Sequence, residues 1–93
     1  MYGVETLPRL KLKVEYALIG FLLGELNDEE FKARIQAILD EFEGKALLHR
    51  NISQLTGEWE KRNRALSSKF ETIWRLLGQV SPQIRRSEGG CVQ

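Results

Sequence analysis

Nine apolar residues in the second half of the chain, Leu48, Ile52, Leu55, Trp59, Leu66, Phe70, Ile73, Leu77 and Val80, recur at a single helical phase. At 100° per residue they stay within about 40° of one direction, a spread that only a period near 3.6 gives. The two prolines, Pro8 and Pro82, flank the span 9–81, so the strongest helix breaker is absent from it. Gly57 falls inside the series, but an interior glycine costs only about 1 kcal/mol relative to alanine. The shared phase therefore predicts one long helix over 46–80, about 50 Å in length at 1.5 Å per residue. A break at Thr56-Gly57, with Thr56 capping a second helix, is the alternative.

Upstream, Asn27 and Glu30 have the spacing of a capping box, and Leu26 and Phe31 that of a hydrophobic staple. Phe31, Ile35, Ile38 and Phe42 follow on one face, with Asp28, Glu29 and Glu30 at the positive end of the helix dipole. A helix over 28–43, ended by Gly44, is expected. Residues 10–16 are ambiguous. Leu10, Leu12, Val14 and Tyr16 alternate with Lys11, Lys13 and Glu15, the period-two pattern of a half-buried strand. Read as a helix, the segment has two nearly opposite apolar stripes. One is Leu7, Leu10, Val14, Ala17 and Phe21; the other is Leu12, Tyr16, Ile19, Leu23 and Leu26. Helix over 9–26 is preferred, because a lone strand finds no partner within the chain and Pro8 suits a first helical turn.

These elements predict an all-α fold: a helical hairpin packed on part of a long amphipathic C-terminal helix, in a single domain over 1–86 with a flexible tail over 87–93. Two shorter helices cannot cover a helix of 35 residues. Its leftover stripe, drawn from Leu48, Ile52, Leu55, Trp59, Leu66, Phe70, Ile73 and Leu77, is expected to self-associate in an intersubunit bundle or coiled coil, a dimer being favoured. Trp59 is expected to be the better buried of the two tryptophans.

Composition removes several functional classes. The 93 residues contain one cysteine and one histidine, which leaves no disulfide framework and no multi-ligand Cys/His site. No cofactor and no metal site is expected. The carboxylates of Glu25, Asp28, Glu29 and Glu30, and of Asp40, Glu41 and Glu43, lack the alternating spacing of a calcium loop and the Glu-x-x-His of a bundle di-metal site. His49 has no serine or cysteine motif beside it, so it reads as a surface or boundary residue and the protein as non-enzymatic. Gly20 and Gly24, with Ala17, form a small-residue strip that reads as a packing contact. The most apolar run, Tyr16 to Leu23, is too short to span a bilayer, and no targeting signal is read, so a cytoplasmic location is expected.

The formal net charge of +1 conceals an asymmetry. Residues 1–44 carry five Lys+Arg against nine Asp+Glu, and residues 45–86 carry nine against three. On a continuous helix Arg50, Lys61, Arg64 and Arg75 stand opposite the apolar stripe as a basic ridge. Two expectations follow: an assembly or adaptor protein acting through protein–protein contacts, and, as the alternative, a nucleic-acid binder whose ridge meets phosphates. In a second version of the alternative, Arg9 to Tyr16 is a strand that pairs with a two-fold mate and presents Lys11 and Lys13 to a groove. The strand–helix order over the first 43 residues then resembles the ribbon-helix-helix repressors, which implies DNA binding by a dimer.

Overall fold

A computed structural model describes residues 6–42 and 45–86. It contains four α-helices and, among the described residues, no strand: α1 (Leu7–Leu22), α2 (Asp28–Asp40), α3 (Lys45–Arg62) and α4 (Ser67–Val80), with one 3-10 turn at Arg64–Leu66 between the last two. Residues 10–16 are thus helical, so the strand required by the ribbon-helix-helix resemblance is absent.

α1 starts at an extended Thr6, with Pro8 in its first turn. It stops at Leu22, short of the expected end at Leu26, because Gly24 adopts φ +84°. The Glu25 N–H donates to the Gly20 carbonyl at 2.8 Å and the Gly24 N–H to Phe21 at 3.1 Å, the paired bonds by which a left-handed glycine closes a helix. Leu26 folds back over Gly20, where a Cβ would stand 3.0 Å from Leu26 Cδ1. The Gly20–Gly24 pair is therefore a helix stop and a contact within the chain.

α2 begins with the capping box that its sequence implies. Asn27 Oδ1 accepts from the Glu30 N–H at 2.8 Å, and Glu30 Oε1 accepts from the Asn27 N–H at 2.9 Å. It ends at Asp40, capped at Glu41. It therefore stops before 43; Gly44, the expected terminator, lies outside the described residues, as does the tail over 87–93.

The long helix over 46–80 does not form. Gly57 remains inside α3, and Thr56 is buried with its hydroxyl donating to the Ile52 carbonyl at 2.7 Å, so the alternative break is not found there either. The break comes at Asn63, whose backbone lies at φ −126°, ψ 54°. Its side-chain amide donates to the Trp59 carbonyl at 2.8 Å, the acceptor that its own N–H would take if the helix continued. The backbone N–H turns to Glu60 instead, at 3.2 Å, and the Leu66 N–H closes the following turn on Asn63 at 2.8 Å. α4 ends at an extended Ser81, the conformation that Pro82 imposes on its predecessor.

α1 and α2 run antiparallel. Phe21 meets Phe31 near the connecting turn, ring centroids 5.2 Å apart, and Lys13 meets Glu41 at the far end at 2.9 Å. α3 packs on α1, and α4 packs on α2. The core gathers Leu10, Val14 and Leu18 of α1, Phe31 and Ile35 of α2, Leu48 and Ile52 of α3, and Phe70, Ile73 and Leu77 of α4. Beyond α4 the chain turns back across α3: Ile84 is buried, and the Arg85 N–H donates to Ser53 Oγ at 3.3 Å. The folded chain extends 42 × 35 × 22 Å.

Candidate functional site

The stripe expected to face another subunit faces the interior of its own chain. Leu48, Ile52, Leu55, Phe70, Ile73 and Leu77 are buried, and Trp59 and Leu66 are half-buried against the same core. The elbow at Asn63 is the physical reason. By bending the stripe it lets α3 and α4 cover the hairpin from different sides, so the premise of a leftover apolar length no longer holds. Trp59 and Trp74 are both half-buried.

Apart from Leu47 of α3, the exposed large hydrophobic side chains among the described residues lie instead on α1 and at its end. Its first stripe enters the core, and the opposite one does not: Leu12, Tyr16 and Leu23 are 50%, 65% and 68% exposed, with Ile19 half-buried among them. Their steps of four, three and four place them within about 30° of one direction on the helix surface. This is the spacing of a seam between paired helices.

A second feature lies at the elbow. α3, α4 and the returning segment flank a cavity of about 550 Å³ that is open to solvent and whose lining includes Gly57, Glu60, Lys61, Arg64, Trp74 and Arg86. Glu60 is its organising group. Its carboxylate accepts from Trp74 Nε1 at 3.0 Å and from Arg86 Nη2 at 2.9 Å. Arg86 also reaches Glu71 at 3.4 Å and stands 5.6 Å from the centre of the Trp74 ring. Its Nε is buried without a hydrogen-bond partner among the described residues. A cation between two carboxylates and over an indole gains from ion pairing and from the ring quadrupole together.

Arg50, Lys61, Arg64 and Arg75, read from the sequence as one ridge, are all exposed. The bend divides them: Lys61 and Arg64 line the cavity, whereas Arg50 and Arg75 do not. A straight ridge along one helix is thereby replaced by a local cluster. Glu60, Trp74 and Arg86 carry no periodic signal in common. They are 14 and 26 residues apart from Glu60 in sequence, so only the folded chain brings them together.

His49, expected at the surface or its boundary, is buried at 8% exposure. Its Nε2 lies 3.2 Å from Ser81 Oγ, and its Nδ1 has no hydrogen-bond partner among the described residues. A serine–histidine pair needs a third group to orient the ring and donors for the developing charge before it can act as nucleophile and base. With Nδ1 unpartnered, the contact reads as a fastening of the segment after α4 onto α3. Among the described residues no three His, Cys, Asp or Glu side chains are grouped to hold a metal ion, and no helix is long and apolar enough to cross a membrane.

Comparison with known proteins finds no family model that matches this sequence, and neither a curated protein nor a solved structure matches it.

Proposed function

We propose that this protein is a non-enzymatic assembly module that pairs with a second copy of itself through the outward face of α1. The observation that carries the reading is the seam of Leu12, Tyr16, Ile19 and Leu23, whose two leucines and tyrosine are at least half exposed on a helix that is otherwise anchored in the core. Such a contiguous apolar row costs free energy in water and gains it when covered.

Charge supports a second copy in antiparallel orientation. Lys11 lies toward the start of α1, beside Arg9 and a Lys13 that already meets Glu41 within the chain, whereas Glu25, Asp28, Glu29 and Glu30 cluster around its other end. A two-fold pairing about the middle of α1 sets Leu12 beside Leu23 of the second copy and Tyr16 beside its Ile19. It also brings each basic end against an acidic one. Both contributions come from the same rotation, as an isologous interface requires.

Sedimentation equilibrium over a concentration series tests the reading. The native chain is expected to reach twice its monomer mass at high micromolar concentration, and to dissociate more readily as salt screens the end-to-end charges. The double variant Leu12→Glu, Leu23→Glu is expected to remain monomeric with an unchanged circular dichroism spectrum, since both side chains are exposed. A native chain that stays monomeric throughout would overturn the proposal.

A further inference from the structure

The cavity at the elbow uses no residue of α1, and its lining specifies a ligand chemistry of its own. Its volume of about 550 Å³ falls within the roughly 300–1,000 Å³ of small-molecule sites. Three cations, Lys61, Arg64 and Arg86, line it against one carboxylate, Glu60, and that carboxylate is already engaged by Trp74 and Arg86. Lys61 and Arg64 are exposed and have no ion-pair or hydrogen-bond partner among the described residues. The Trp74 indole also lines the cavity, with Arg86 over its ring at 5.6 Å, and a Cβ placed on Gly57 would meet nothing within 4 Å. The lining thus joins an excess of positive charge to an aromatic surface with open space beside it.

We propose that this cavity binds an organic phosphate, a phosphomonoester joined to a planar ring. Lys61 and Arg64 hold the phosphoryl group, assisted by the Ser67 hydroxyl that also lines the site. The ring lies over Gly57 against Trp74. A phosphomonoester carries about −1.5 to −2 charges at pH 7, which matches the excess of cations over carboxylates better than a single carboxylate does. The positive lining disfavours a metal ion by the same reasoning. Arg86 is a positioning residue: held by Glu60 and Glu71, it fixes the Trp74 ring that the ligand meets. A free nucleotide and the phosphorylated end of a nucleic-acid strand both present this chemistry.

The test is a nuclear magnetic resonance titration of the full chain with phenyl phosphate, adenosine monophosphate, inorganic phosphate and a short single-stranded oligonucleotide with and without a 5′-phosphate. The two ring phosphates are expected to shift the Trp74 indole N–H and the Lys61, Arg64 and Ser67 amides, and to leave the Trp59 indole unmoved. Lys61→Glu and Arg64→Glu, both at exposed positions, are each expected to weaken binding by about tenfold, the loss of a charge-assisted contact. Arg75→Glu, outside the cavity, is expected to leave affinity unchanged.

Binding of the free nucleotide at least as tight as that of the phosphorylated strand supports a small-molecule site. Tighter binding of the phosphorylated strand, with its unphosphorylated form silent, supports a strand-end site. Absence of a Trp74 shift with every probe would overturn the proposal. So would inorganic phosphate binding as tightly as the nucleotide, equal loss from Arg75→Glu, or equal binding of the unphosphorylated strand. Failure here leaves the α1 pairing intact, because that is read by mass and by variants of another helix.

Discussion

The side-chain amide of Asn63 donates to the main-chain carbonyl of Trp59 at 2.8 Å and so ends α3 where its apolar period would carry it onward. The bond substitutes a side-chain donor for the backbone donor of a continuing helix. The chain is thereby free to turn, and the turn makes both the core and the cavity beside it. Asn63→Ala removes the substitute donor and installs the strongest helix former. We expect it to lower the free energy of unfolding by about 1 kcal/mol, the usual worth of one such bond, read as a lower urea midpoint at constant slope. A rise in midpoint would show that the elbow is held by something else.

The capping box at the start of α2 is reciprocal, with both of its bonds shorter than 3 Å. Asn27→Ala should cost about 1 kcal/mol. Glu30→Ala should cost less, and the double variant less than the sum, because the two residues serve one helix end. Strict additivity in chemical denaturation would argue against a coupled pair.

Two glycines should respond with opposite sign. Gly57 is helical with open space where a Cβ would stand, so Gly57→Ala should stabilise by about 0.5–1 kcal/mol. Gly24 is held at φ +84°, where an alanine is strained, so Gly24→Ala should destabilise by about 1 kcal/mol. Thermal denaturation of the two variants side by side checks the contrast, and equal effects would contradict it.

His49 and Ser81 give a test of fastening against chemistry. Ser81→Ala leaves a buried imidazole with neither nitrogen bonded and should cost about 1–3 kcal/mol. His49→Leu removes the buried polar ring altogether, leaves the half-buried Ser81 hydroxyl to solvent, and should be neutral within about 1 kcal/mol. If His49→Leu proves far more damaging to stability than Ser81→Ala, the imidazole does more than fasten the segment.

Elements governed by local chemistry were legible in the sequence. The capping box needs only Asn27 and Glu30 three residues apart, and the stop of α4 needs only Pro82 after Ser81. The two stripes of α1 were legible as a pair, but not which of them the core would take. The elbow was not legible, because Leu48 to Val80 keep one helical phase whether or not the chain bends between them. Phase records which side of each piece is apolar and is silent on the angle between the pieces. The expectation that those eight residues face another subunit turned on that single ambiguity: a straight helix leaves apolar length uncovered, and a bent one folds it inward.

The contacts that build the cavity could not be read from the sequence at all. Glu60 lies 14 residues from Trp74 and 26 from Arg86, distances over which no periodicity connects side chains. By itself the sequence determined that the chain is helical, where α2 starts, and which residues have an apolar face to bury, since each depends on neighbours within a few turns. Only the tertiary structure decided where the long stripe bends, which face of α1 remains outside, and which cations stand around Trp74. Those outcomes depend on how helices cover one another, a competition for buried area that is settled by the whole chain at once.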